Sequence, residues 1–235
     1  MPLFDEQDLD GASLPELAAL LGSENPRARA DALCALGDRL RTHELSKLEE
    51  SLVQKLVALL DDTQDEVQLE AAITLAEMQD SRATPILVAA LRNKKWRLDA
   101  IRALGALGDR SVVDALTRLM TGWLMPWADR MQSAAALCRL QDQNGARYLE
   151  EKLKSRREAE RAAAIHFLAE SKHPQARDLL LKILSDTTHA MRVGAARALG
   201  LLGDPSVRPA LIAARHNASN DLLEDIEEAL QKLPA

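Results

Sequence analysis

Histidine, cysteine, carboxylate and tryptophan are the side chains that would carry chemistry in this chain, and their spacing decides which chemistry is open. The five histidines stand at 43, 166, 173, 189 and 216. None has a histidine or glutamate at metal-ligand spacing on a helix, and the single His43-Glu44 pair falls where a loop is expected. Cys34 and Cys138 lie far apart, each inside an apolar helical pattern, and no CxxC is present. They read as small core residues of a protein in a reducing compartment. No Gly-rich phosphate loop and no nucleophile elbow occurs. No metal and no cofactor are therefore expected. One constellation remains, the trio Trp123, Trp127 and Asp129 inside "GWLMPWADRM" (122–131). That stretch holds two of three tryptophans in a chain with one tyrosine and two phenylalanines. Indoles beside a Gly and a Pro, where a turn is expected, offer contact area rather than a reaction.

The elements that must position these residues follow from composition. Of 235 residues, 47% are hydrophobic and most of those are Ala and Leu; β-branched residues are sparse. That bias predicts an all-helical chain. A net charge of −6 and a pI near 5.5 argue against general nucleic-acid binding, which needs a basic face. No stretch is long and apolar enough to span a membrane. The opening "MPLFDEQDLDGAS" is acidic and lacks a basic, then apolar, signal pattern. A soluble, cytoplasmic monomer is expected, with an acidic flexible segment over 1–12 and a single domain over 13–235.

Internal repetition sets the architecture. "WRLDAIRALGALGDRSV" (96–112) and "MRVGAARALGLLGDPSV" (191–207) share R-x-x-A-x-R-A-L-G-x-L-G-D-x-S-V. Anchored on the first Arg, weaker copies place the pattern at 29, 68, 97, 130, 161, 192 and 223. Shorter amphipathic stretches such as "SLVQKLVALL" (51–60) and "ARDLLLKIL" (176–184) precede the copies with apolar residues at helical spacing. Each repeat then reads as two antiparallel helices, A and B, joined by turns rich in Asp, Ser, Asn, Gly and Pro. One helix pair cannot bury its apolar face, but a stack of seven can. The fold class predicted is all-α, a right-handed α-solenoid of about seven two-helix repeats.

The repeat "VRxxAAxALGxLGD" resembles the short bacterial HEAT-like repeat, the type named after phycobilisome lyases. The resemblance covers nearly the whole chain and implies the fold far more firmly than a function. Bilin lyase subunits carry this repeat type, although no separate chromophore motif is present here. Deoxyhypusine hydroxylase is similar in fold, but its iron site requires several His-Glu pairs where this chain has only His43-Glu44. The HEAT-like alkylpurine DNA glycosylases are similar in length and use Trp and Asp around a basic concave groove. Trp123, Trp127 and Asp129 fit that pattern, whereas the acidic charge does not.

Within helix B, positions +3, +4, +6 and +7 from the anchor face the core, and small residues with Gly at +8 allow close helix approach. Positions +1 and +5 fall on the inner face: among them are Leu69 and Ile73, Leu98 and Arg102, Met131 and Ala135, His166, and Val193 and Arg197. The middle of this face is apolar, either as a groove for a partner or as half-buried packing between neighbours. The recurring Arg29, Arg97, Arg130, Arg161 and Arg192 are assigned to a structural ladder bridging repeats through carboxylates and carbonyls rather than to a phosphate stripe. Trp96, Trp123 and Trp127 all fall at A-to-B turns of the third and fourth repeats and are expected to form an aromatic edge. The function expected is a non-enzymatic protein-interaction module (adaptor, scaffold or inhibitor/immunity-type binder). Its partner is another protein, met through Trp96, Trp123, Trp127, Leu98, Arg102, Met131, His166 and Arg197. A bilin lyase or lyase-like chaperone subunit is the alternative, and a DNA glycosylase a more distant one.

Overall fold

A computed structural model describes residue 9 and residues 11–171 and 175–234. Among them are fourteen α-helices and no strand. The helices pair in chain order into seven repeats. These are α1 (Leu14–Leu20) with α2 (Pro26–Arg41), α3 (Glu50–Ala58) with α4 (Asp65–Glu77), and α5 (Thr84–Ala90) with α6 (Arg97–Leu107). Then come α7 (Val113–Thr121) with α8 (Trp127–Arg139), α9 (Gln143–Lys152) with α10 (Glu158–Glu170), α11 (Ala176–Ser185) with α12 (Arg192–Leu202), and α13 (Arg208–Ala214) with α14 (Asn220–Lys232). The architecture is an α-solenoid, and every anchor falls in the second helix of its pair.

The repeat signature has a local reason. In "LGD", Gly108 and Gly203 adopt φ of 77° and 69°, the left-handed conformation that ends a helix. The next residue then caps the following turn: Asp109 accepts from the Ser111 N–H at 2.8 Å and Asp204 from the Ser206 N–H at 2.9 Å. Where the copy is weak, Gln79 and Gln141 take the same conformation at φ 59° and 57°, again followed by capping Asp80 and Asp142. The geometry is kept although the glycine is not.

The chain divides into two compact units, Met1–Val112 and Val113–Ala235, where one domain over 13–235 was expected. The first holds three repeats around Leu33, Leu36, Leu56, Leu75, Leu87 and Leu104, all fully buried. Its helices approach closely at Gly37, where a Cβ would lie 3.3 Å from the Thr74 hydroxyl. That hydroxyl donates to the Leu33 carbonyl at 2.9 Å. The second unit holds four repeats around Leu116, Leu137, Leu149, Leu168, Leu199 and Ile226. There Gly200 packs on Ala229, whose Cα lies 2.8 Å from where a Cβ would stand. Both glycines occupy the +8 position. Of the segment 1–12 expected to be flexible, only Leu9, Gly11 and Ala12 lie within the described residues.

Candidate functional site

The turn between α7 and α8, residues 122–126, displays the indoles of the second unit. It is tight because Gly122 lies beneath Met125: a Cβ there would stand 2.8 Å from Met125 Cγ and 3.1 Å from the Arg118 carbonyl. The Met125 N–H donates to the Gly122 carbonyl at 3.1 Å. With Met125 folded inward, the residues between have no core to enter. Trp123 is 84% exposed and Leu124 71%, and Trp127, opening α8, is 42% exposed. Pro126 caps α8 with extended backbone, its fixed ring suiting a helix entrance. Asp129 is buried at 7% exposure, so the carboxylate of the trio sits in protein while the indoles face solvent. Leu124 escaped the sequence reading. Its signal was its place between an exposed Trp and a helix-starting Pro.

Trp96 belongs to the first unit and is half-buried at the entrance of α6. Its ring stands 5.6 Å from the Lys95 ammonium and borders a groove of about 500 Å³ with Gln68, Leu69, Ile86 and Arg92. Leu98, the second residue of α6, is 44% exposed. Arg102 lies 3.6 Å from Asp99. The three indoles thus stand in two units, and each unit presents its own.

The remaining inner-face positions separate. Leu69, Ile73 and Ala135 are buried, as is Met131 at 1% exposure. Met131 therefore belongs to the core and not to a contact surface, a correction to its assignment. α8 packs against α7, α9 and α10, and a side chain enclosed by neighbouring helices offers no contact surface. His166 is exposed, with Nε2 3.5 Å from Glu170 and its ring tilted against Phe167. The first two form an i,i+4 His–Glu pair on α10, a correction to the expectation that no histidine has a glutamate at that spacing. Arg197 is exposed and pairs in bidentate fashion with Asp225 at 3.0 and 3.1 Å.

Four of the five ladder arginines bond turn carbonyls. Arg29, Arg97 and Arg161 each donate at 2.8 Å to the carbonyl six residues upstream, on Ser23, Leu91 and Ser155. Arg192 donates to Leu184 and reaches the next repeat at Asn217. Arg29 also crosses to the next repeat, meeting both Asp62 oxygens at 2.9 Å. Burial would raise the Asp62 carboxyl, but the Arg29 hydrogen bonds and the Gln64 N–H outweigh it and hold it below the ordinary range. Arg130 departs from the ladder: its Nε is buried without a partner. The carbonyl six residues upstream would be that of Leu124, in the protruding aromatic turn, and no bond to it forms. The hydroxyls of Ser133 and Tyr148 are likewise buried without partners.

Among the described residues no cluster of three or more His, Cys, Asp or Glu is placed to hold a metal ion, and His173 lies outside them. Cys138 is buried as expected, but Cys34 is exposed on α2, a correction to its reading as a core residue. Partial desolvation, then Glu70 and Asp38, push the Cys34 thiol up to about 11, and burial pushes the Cys138 thiol up to about 12, which leaves little thiolate at neutral pH. No helix among the described residues is long and apolar enough to cross a membrane.

Comparisons with known proteins accord with this architecture. Protein YibA of Escherichia coli K12 is 29% identical over 111 residues, which cover 47% of this chain and 38% of YibA. The same match holds for YibA of Escherichia coli O157:H7, so the aligned part spans well under half of these curated relatives. Among solved structures, the complex of CpcE and CpcF of phycocyanin lyase from Nostoc sp. PCC7120 aligns over 100% of this chain and 96% of the other. Its TM-score is 0.57 at 18% identity, a likeness of fold. Human deoxyhypusine hydroxylase aligns over 97% of the chain and 96% of its own with a TM-score of 0.40 and 21% identity. A family model for HEAT repeats matches residues 53–138 and 146–231, which is most of the chain. The match covers the helix pairs of both units, and the chain belongs to the HEAT repeat family.

Proposed function

We propose that the protein is a non-enzymatic interaction module that grips another protein through the aromatic turn of its second unit. One observation carries this reading: Trp123, Leu124 and Trp127 stand exposed within five residues, in a chain with three tryptophans. An indole 84% exposed packs against little of its own chain. Clustered apolar side chains in water mark a surface awaiting a partner, and Trp is the residue most enriched at binding hot spots. The turn is also free to vary, because Gly122 and Pro126 close it without help from the exposed side chains. A cytoplasmic monomer is the matching expectation. The lyase-subunit alternative draws on likeness of fold alone. Capture from a cell extract tests the reading. The full chain and its Trp123→Ala variant are used as paired baits, with quantitative mass spectrometry of the bound proteins. A partner depleted at least about tenfold on the variant supports it, given the usual hot-spot loss of 1–2 kcal/mol or more. Identical sets of bound proteins refute it.

A further inference from the structure

The aromatic turn has a charged neighbour. Residues 152–157, Lys-Leu-Lys-Ser-Arg-Arg, end α9 and form the next A-to-B turn, with four cations and no anion in a chain of net charge −6. Helices α8 and α9 are consecutive and antiparallel, so the start of α8 stands beside the end of α9. The two helices pack closely, for a Cβ at Gly145 of α9 would stand 2.7 Å from the Leu137 Cβ of α8. Burial raises the Tyr148 hydroxyl, and the Arg130 guanidinium, three residues past Trp127, opposes that rise; the Tyr148 ring lies 5.0 Å from the Lys152 ammonium. Two of the four cations are engaged. Lys152 at 3.8 Å and Arg157 at 3.3 Å share the Glu160 carboxylate, which also accepts from the Ser155 hydroxyl. Lys154 and Arg156 are exposed and form no ion pair among the described residues. An apolar protrusion therefore borders a pair of uncommitted cations.

Resting on the interaction reading above, we infer that this surface docks an acidic linear segment of a partner protein, with an aromatic or aliphatic side chain seated on Trp123, Leu124 and Trp127. Carboxylates of that segment lie opposite Lys154 and Arg156. The indoles provide contact area at low conformational cost, and the cations select the charge and speed the encounter. Polynucleotide is the poorer match. Its affinity grows with the number of phosphates neutralised, and this surface offers two free cations on an acidic protein. Leu124, at the centre of the protrusion, offers a nucleobase no stacking face.

Selection from a random twelve-residue peptide display library on the full chain tests the inference, followed by fluorescence anisotropy of the selected peptides. The expected consensus carries Asp or Glu beside Trp, Phe or Leu. Its affinity falls at least about tenfold on the Lys154→Glu, Arg156→Glu double variant. Replacing the peptide's acids by Lys restores binding to that variant. A neutral or basic consensus, or affinity unchanged by the charge reversal, overturns the inference. If Trp123→Ala still abolishes binding in that case, the interaction reading survives without it. Selected peptides that bind Trp123→Ala as well as the parent overturn both. Duplex DNA bound more tightly than any selected peptide at 0.15 M salt also overturns the inference.

Discussion

Gly145→Ala tests the helix packing on which everything else is mounted. Gly145 lies in the first turn of α9, pressed against α8. A Cβ there would stand 2.7 Å from Leu137 Cβ and 2.9 Å from the Cys138 backbone nitrogen, and closer still to the Ala134 carbonyl oxygen. Backbone atoms cannot swing aside as a side-chain end can, so α9 must move by about 1 Å to restore van der Waals separation. Overpacking of this kind costs about 1–3 kcal/mol, and the better helix propensity of Ala returns at most about 1 kcal/mol. The net expectation is a loss of about 1–2 kcal/mol, or roughly 2–8 °C in Tm at about 2–4 °C per kcal/mol. Gly194→Ala is the control. Its Cβ would meet only Ile165 methyls at 3.8 and 3.9 Å, ordinary contacts, within α12. That variant should gain about 0.5–1 kcal/mol from propensity alone. Thermal and urea unfolding followed by circular dichroism at 222 nm measure both. A Gly145→Ala protein as stable as the parent would refute the close α8–α9 approach.

Arg29→Ala leaves the buried Asp62 carboxylate, 8% exposed at its side chain, without its bidentate partner, and should cost about 3 kcal/mol in urea unfolding. Because Asp62 is held below the ordinary carboxylate range, its contribution is complete at neutral pH and fades as pH falls through that lowered value; the Arg29→Ala protein should lack this part of the acid limb. Glu70 behaves oppositely. Burial first, then Asp99, Glu66 and Asp38, push it from 4.5 up to about 7, with Arg102 opposing. The unfolded chain ionises first as pH rises, so stability falls between those values and the penalty is complete above 7. Glu70→Gln should therefore raise Tm at pH 8 and leave it nearly unchanged at pH 4.

The sequence exposes the fold well because a solenoid repeats its physics. Helix period, glycine stops and anchor arginines recur, and each copy corroborates the others. The Gly at +8 marks close approach at Gly37 and Gly200, and the structure places both against a neighbouring helix. Individual surface positions were harder to read. Met131 and Leu98 share one register position, yet the first is 1% exposed and the second 44%. Register gives direction on a helix, not the distance to the next helix. Arg130 shares the ladder position of Arg29, but its Nε is buried without a partner, and the residue six before it is the exposed Leu124 of the turn before α8. That turn signals itself only by Gly, Pro and two indoles, and the cation pair of the next turn gains its meaning from adjacency in space.

Oxidative footprinting of the complex tests the central claim most directly. Hydroxyl radicals label exposed indoles, and labelling at Trp123 and Trp127 is read by peptide mass spectrometry with and without the captured partner. The interaction reading predicts strong labelling of Trp123 in the free protein, where it is 84% exposed, and at least about fivefold protection in the complex, as expected of a hot spot shielded from water. Undiminished labelling of Trp123 in a saturated complex would contradict it.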